Sequence, residues 1–310
     1  MIITKDYSQI DLNKPVVTIG FFDGVHLGHK EILQAAVAKA KEQNKKSVVV
    51  TFWPHPRIVL NQDVDTLRFL NALEEKQQLI AECGIDVMLI LDFTTALASQ
   101  TAQRFVQDFL IEKLNVSSLI IGYNHVFGHK GQGNYLLLKE MESAGNYKTF
   151  QVGPVQINSI NISSTKIRTA LEQGNLVLAN QMLGKPYEIK GTIEGGKQIG
   201  RSIGYPTANI SPFEPLKQIP GDGVYAVWID YNGISYPSML NIGKKPTLNE
   251  NSIRTIEAHI IGFNKNIYSE QIIVRFMEKI REEEKFPSLD HLKMQLAKDK
   301  VKVQALLGCK

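Results

Sequence analysis

At 310 residues the chain exceeds one ordinary domain, so two hydrophobic cores are expected. A hydrophobic content of 43% with 21% charged residues excludes a disordered or fibrous class, and a formal charge of +4 at pH 7 is too small a basic excess for a nucleic-acid footprint. The start MIITKDYSQIDLN lacks a signal-peptide pattern and no apolar run approaches the roughly 20 residues of a membrane span, which argues for a cytoplasmic protein with Cys83 and Cys309 as reduced thiols.

From Val16 onward short apolar runs alternate with amphipathic stretches. The runs are VVTIG, SVVVTF, VMLILDF, SLIIG and a weaker TFQVGPVQI. Between them lie HKEILQAAVAKAKEQ, ALEEKQQLIAEC, AQRFVQDFLIEKL and NYLLLKEMESA, whose apolar positions recur near helical spacing. Uninterrupted apolar strands separated by helices imply a parallel sheet covered on both faces, so a doubly wound α/β domain is expected here.

The first connection of that sheet is crowded. IGFFDGVHLGHKEIL leaves its strand at Gly20 and enters a helix near Leu27 or Gly28. In such sheets ligands bind beyond the carboxyl ends of strands, where helix N-termini present unpaired N–H groups and positive dipole ends. Gly20, Gly24 and Gly28 let the backbone turn tightly and approach a ligand. His26 and His29, three apart at the helix start, can face one anion, which makes a phosphate cradle with side-chain donors added. A bare H-x-x-H more often caps a helix; the glycine framing favours the cradle. Asp23 beside a polyphosphate implies either a cation or a turn held through backbone N–H groups, and both roles stay open. Further on, Ser163, Ser164 and Thr165 precede a helical stretch and can donate to phosphate oxygens, with Arg168 adding a planar bidentate charge, although such a run alone reads as an N-cap.

Two helical stretches, STKIRTALEQ and LVLANQML, lead to LGKPYEIKG, where Gly184 and Pro186 break the pattern, so domains of residues 1–183 and 184–310 are expected. The basic excess lies in the second. Its rhythm is strand-like, with YEIKGTI, GVYAVWIDYNG, ISYPSMLNIG, TIEAHII and QIIVRFMEKI, an Asn-Gly hairpin signal at Asn232 and Gly233, and a closing helix from Ser288 to about Leu307. Six or so strands and one helix suggest a small barrel. GTIEGGKQIGRSIGYPTANI, residues 191–210, reads as a glycine-rich flap ending in PTAN. Thr207 and Asn209, two apart on an extended strand behind Pro206, point the same way and offer oxygen ligands to a hard cation. Glu257 in TIEAHIIGF reads locally as an outward-facing strand residue, and Arg281 in KIREEEK as a solvated charge.

GFFDGVHLGH resembles the H-x-G-H signature of the nucleotidyltransferase superfamily, and its longer G-x-F-D-G-x-H-x-G-H form resembles the bacterial riboflavin kinase/FMN adenylyltransferases. TFWPHP (residues 51–56), IGYNHVFGHKGQGN (121–134), ISSTKIR (162–168), PTAN and the second-half segments GVYAVWI and NIGKKPTL follow in that family's order. The resemblance covers about residues 12–307. It implies ATP contacts for adenylyl transfer at Gly20, Phe22, Asp23, Gly24, His26, Gly28, His29, Asn124, Ser163, Ser164, Thr165 and Arg168, and flavin contacts at Phe52, Pro54, His55 and Pro56. For the kinase it implies ATP or flavin contacts at Gly191, Gly200, Arg201, Gly204, Pro206, Thr207, Asn209 and Arg281, with Thr207 and Asn209 holding Mg²⁺. Glu257 is then the base for the ribityl hydroxyl, and His26 and His29 the catalytic imidazoles. The implied substrates are riboflavin, FMN and ATP, the products FMN and FAD, with no nucleic acid, membrane or obligate protein partner. The alternatives are a single-activity adenylyltransferase and a non-catalytic flavin-binding regulator. The chain departs from the family at Val126, where a basic residue is expected and His125, His129 or Lys130 could substitute, and at Gly262, where an aspartate usually stands.

Overall fold

The computed structural model describes residues 1–10, 12–195, 203–245 and 253–309. It divides into two compact units, Met1–Ser164 and Thr165–Lys310.

The first unit holds six strands, β1 (Ile2–Thr4), β2 (Val16–Ile19), β3 (Ser47–Trp53), β4 (Val87–Asp92), β5 (Ser118–Gly122) and β6 (Lys148–Val152), all parallel in the order β1-β4-β3-β2-β5-β6. Successive strand residues point to opposite faces, and each face feeds its own core. Val17, Ile19, Val48, Val50, Leu119 and Ile121 pack with Phe105, Phe109 and Leu110 on one side. Val16, Val49, Met88 and Ile120 pack on the other with Leu33 and Ala36 of the helix Leu27–Glu42 and with Leu79 and Ile80 of the helix Leu73–Glu82. This is the doubly wound sheet expected from the alternating pattern. Strand order reverses between β2 and β5, and the crevice at such a switch point opens beyond their carboxyl ends, at Gly20 and Gly122.

Two local expectations need correction. β1 pairs with β4 at the sheet edge, ahead of the first expected strand; three residues are too few to show a period. The run TFQVGPVQI is not one strand, because Pro154 has no N–H for a ladder. β6 ends at Val152, and a small antiparallel pair, β7 (Gln156–Ile157) and β8 (Ile160–Asn161), follows.

The second unit begins with the helices Ser164–Glu172 and Leu176–Leu183, which the expected boundary at residue 183 would leave with the sheet. Their side chains explain the difference: Asn180 donates from Nδ2 to the Phe276 carbonyl at 2.8 Å and accepts from the Tyr187 N–H at 2.8 Å, tying the second helix to the strands that follow. Those strands are β9 (Tyr187–Glu194), β10 (Ala208–Pro212), β11 (Gly223–Tyr231), β12 (Ile234–Lys245), β13 (Ile253–Ile260) and β14 (Gln271–Arg281), closed in the antiparallel order β10-β13-β12-β11-β14-β9. Asn232 and Gly233 adopt φ of 50° and 77° and join β11 to β12, the hairpin their dipeptide signals. Tyr225, Val227, Ile229, Leu240, Ile242, Val274 and Phe276 are buried on one set of alternate positions. The other set, with Val224, Ala226, Met239 and Ile280, is covered by Val303 of the C-terminal helix Leu289–Leu306. No helix among the described residues is long and apolar enough to cross a membrane, and both cysteines are free thiols.

Candidate active sites

At the switch point of the first unit, the chain leaves β2 through a backbone held in unusual conformations: Phe22, Gly24 and Val25 have φ of 51°, 87° and 38°. Left-handed geometry at a phenylalanine and a valine persists only where surrounding contacts hold it. Phe22 and Val25 are anchored in the core, and Asp23 supplies the remaining hold. Its Oδ1 accepts from the Leu70 N–H at 2.9 Å and the Asn71 N–H at 3.4 Å, just ahead of the helix Leu73–Glu82. Of the two roles open for Asp23, the turn-holding one is what the geometry displays. Ser164 donates from Oγ to the Asp23 carbonyl at 2.9 Å, so this hydroxyl also braces the loop.

His26 is the N-cap of the helix Leu27–Glu42, its Nδ1 accepting from the His29 N–H at 3.2 Å, which leaves the proton of the neutral ring on Nε2. The two imidazoles stack with centroids 3.6 Å apart, and Phe22 stands edge-on to His29 at 5.3 Å. Burial pulls the pKa of His26 down to about 4. Burial, then the charges of His26 and Lys76, push that of His29 well below its ordinary value. Both rings are therefore neutral hydrogen-bond donors at pH 7. Gly28 lies against the His26 ring, where a Cβ would approach it to 3.3 Å. Lys76, on the helix Leu73–Glu82, is only 3% exposed and lies beside this cluster. Sequence reading passed over it; the available signal was a lysine on the buried stripe formed by Leu73, Leu79 and Ile80.

A cavity of about 390 Å³ opens beside the cradle, lined by Gly20 and Phe21 after β2, Phe52 near the end of β3 and Pro56 after it, Phe93 and Leu97 after β4, and His125, Val126, Phe127 and Lys130 after β5. Of the four expected flavin residues, Phe52 and Pro56 line it. His55 caps the helix Pro56–Val59 and lies 4.6 Å from the Phe21 ring, while Pro54 is outside the lining. Val126 and Lys130 share the lining, so Lys130 is placed to supply the charge that Val126 lacks. Asn124 is exposed in the connection after β5. Thr165 and Arg168 lie on the helix Ser164–Glu172 and are counted with the second unit.

In the barrel, the register of β10 and β13 sets Asn209 opposite Glu257. Opposed residues share a face, and Thr207, two residues earlier, shares it too. Thr207 Oγ1 donates to Glu257 Oε2 at 3.4 Å, gathering three oxygen-bearing side chains, of which Thr207 also lines a cavity of about 420 Å³. Pro206, Thr207, Ile260, Phe263 and the segment from Asn264 to Tyr268 line that cavity. The Pro206 carbonyl takes a hydrogen bond from the His259 ring, Nδ1 to O 2.9 Å. Gly262, at φ of 73°, sits in a conformation that favours glycine, which accounts for the missing aspartate locally. Gly204 turns at φ of 86° ahead of PTAN. Gly200 and Arg201 lie outside the described residues.

Two expected site residues have other duties on view. A Cβ at Gly191 would meet the Ser211 carbonyl oxygen, so its glycine permits close approach of β9 and β10. Arg281 is no solvated charge: it binds Asp299 of the C-terminal helix at 2.8 to 3.1 Å through Nε and Nη2 and lies under the Phe286 ring.

The FAD synthetase family model matches residues 8–166, and the riboflavin kinase family model matches residues 183–307. The chain is 37% identical over 306 residues to a bifunctional riboflavin kinase/FMN adenylyltransferase of Listeria monocytogenes, covering 99% of this chain and 96% of that one. It is likewise 37% identical over 307 residues to the enzyme of that name in Escherichia coli, covering 97% and 95%. Among solved structures it is similar to a Streptococcus pneumoniae chain described as a macrolide-efflux protein, with a TM-score of 0.87, 30% identity and 98% of each chain covered.

Proposed function

The chain belongs to the bifunctional riboflavin kinase/FMN adenylyltransferase family, and from that premise we infer how its two sites divide the work. It phosphorylates riboflavin to FMN and then joins FMN to the AMP portion of ATP, releasing pyrophosphate and giving FAD. We assign the first reaction to the barrel and the second to the sheet unit, with a functional boundary near residues 183 and 184. The observation carrying this division is that His26 and His29 lie wholly within one compact unit while Thr207, Asn209 and Glu257 lie wholly within the other.

In the barrel, Glu257 is placed to accept the proton of the ribityl 5′ hydroxyl as that oxygen attacks the γ-phosphorus. Thr207 and Asn209 supply neutral hard oxygen donors beside that carboxylate, a donor set suited to Mg²⁺. When bound, the ion would neutralise charge on the triphosphate. In the sheet unit, the FMN phosphate is already ionised and needs no base. The task there is alignment with the α-phosphorus and stabilisation of the departing pyrophosphate, for which the neutral imidazoles offer preorganised N–H donors. The aromatic cavity lined by Phe21, Phe52, Phe93 and Phe127 suits a planar apolar ring in size and chemistry. The curated relatives are bacterial enzymes, and we place this chain in the cytoplasm.

Incubation of the full chain with riboflavin, ATP and Mg²⁺, with flavins separated over time, should show FMN and then FAD. His29→Ala should stop the course at FMN, with FAD formation reduced about 10²–10³-fold. Glu257→Ala should leave riboflavin unphosphorylated yet still convert added FMN to FAD. A single-activity transferase would make only one product, a non-catalytic binder none, and an unchanged product ratio in either variant contradicts the division of labour.

A further inference from the structure

We propose that Lys76 is a phosphate-binding residue of the adenylyltransferase site, carrying the full positive charge that the neutral imidazoles of the cradle lack. The proposal rests on the reading above, in which the sheet unit brings two phosphorylated substrates together.

Lys76 sits on the buried stripe of its helix, one turn before Leu79 and Ile80, and is 3% exposed. Among the described residues no hydrogen bond and no ion pair reaches its ammonium. Its Nζ lies 5.9 Å from the Phe21 ring centre and 6.0 Å from that of Trp53, the outer limit of cation–π contact, and a ring face offers no carboxylate charge. Asp23 is near enough for its charge to be felt, but its Oδ1 is engaged by the Leu70 and Asn71 N–H groups. A lysine retained for stability in a core is paired, because an ammonium with three unmet donors opposes folding. Replacement by a hydrocarbon side chain would remove that opposition.

An orphaned group lies beside it. His29 Nδ1 is buried and has no hydrogen-bond partner, and the charge of Lys76 acts on that ring. The Lys76 side chain and an unsatisfied imidazole nitrogen thus lie next to a strand-exit loop and the N-cap of the helix Leu27–Glu42, all on the side that carries the positive dipole end. Such a group is completed by an anion. The anions this unit receives are the FMN phosphate and the ATP triphosphate, which share phosphate oxygens as acceptors. Burial draws the Lys76 pKa down and Asp23 opposes this, a balance that an arriving phosphate would tip toward the charged form.

The test compares full-length Lys76→Met and Lys76→Arg with the parent in three measurements: FAD formation from FMN and ATP, riboflavin phosphorylation in the same chain, and thermal melting. The methionine variant should lose on the order of 10²-fold in kcat/KM for FAD formation. It should phosphorylate riboflavin as the parent does and melt no lower than the parent. Arginine should restore part of the FAD activity. A raised KM for FMN alone would assign the charge to the flavin phosphate, whereas a raised KM for ATP or a fall in kcat would assign it to the triphosphate. Undiminished FAD formation in Lys76→Met overturns the proposal. So does a lowered melting temperature that accounts for the lost activity, since that marks a structural lysine. Should the parent chain itself form no FAD, the underlying assignment of the sheet unit fails instead.

Discussion

Acidification from pH 7 to pH 5 should destabilise the sheet unit far more than its surface charges would suggest. Burial lowers the pKa of both His26 and His125 from 6.5 to about 4. The unfolded chain therefore takes up these protons first as the pH falls. Stability from the neutral rings is fully present above pH 6.5 and is lost progressively toward pH 4. Between pH 7 and 5 the difference in proton affinity amounts to about 2 kcal/mol for each ring, hence about 4 kcal/mol for the pair. His29 acts in the same direction. Against a typical total of about 5–15 kcal/mol this is a large loss. The chain has two tryptophans, Trp53 in the sheet unit and Trp228 in the barrel. Urea unfolding of a Trp228→Phe background, followed by Trp53 fluorescence at pH 7, 6 and 5, isolates the sheet unit. Adding His125→Phe keeps an aromatic ring beside Phe127, which His125 stacks on at 5.8 Å, and removes one titrating site. Its loss between pH 7 and 5 should be smaller than the parent's by about 2 kcal/mol. Equal losses in the two proteins would refute the reasoning.

Asp299→Ala should lower barrel stability by about 3–5 kcal/mol, because it strands the Arg281 guanidinium in a site where that side chain is 15% exposed. Trp228 fluorescence in a Trp53→Phe background measures this, and a loss below about 1 kcal/mol would class the pair with surface salt bridges. Gly191→Ala should cost about 1–3 kcal/mol, since its methyl group would press on the Ser211 carbonyl and pry β9 from β10. An unchanged melting temperature would show that the two strands part without cost.

Much of this protein was legible from local pattern. Continuous apolar runs separated by helical spacing specify a sheet covered on both faces, and Asn232-Gly233 specifies a hairpin, because each depends only on neighbours within a few residues. The placement of the two histidines was legible for the same reason: His26 precedes the helix and caps it, and His29 is one turn on. Thr207 and Asn209 share a face through simple alternation.

What the sequence left open depended on residues far apart in the chain. Asp23 meets the N–H groups of Leu70 and Asn71, Arg281 meets Asp299, and Asn209 stands opposite Glu257 only because β10 and β13 pair in that register. The helix Leu176–Leu183 looks like one more α/β crossover until Asn180 is seen bound to Phe276 and Tyr187. Lys76 resembles any charge on an amphipathic helix until packing closes around it. Periodicity records which face of an element is buried. Which groups that burial brings together, and which it leaves unsatisfied, is decided when the elements pack.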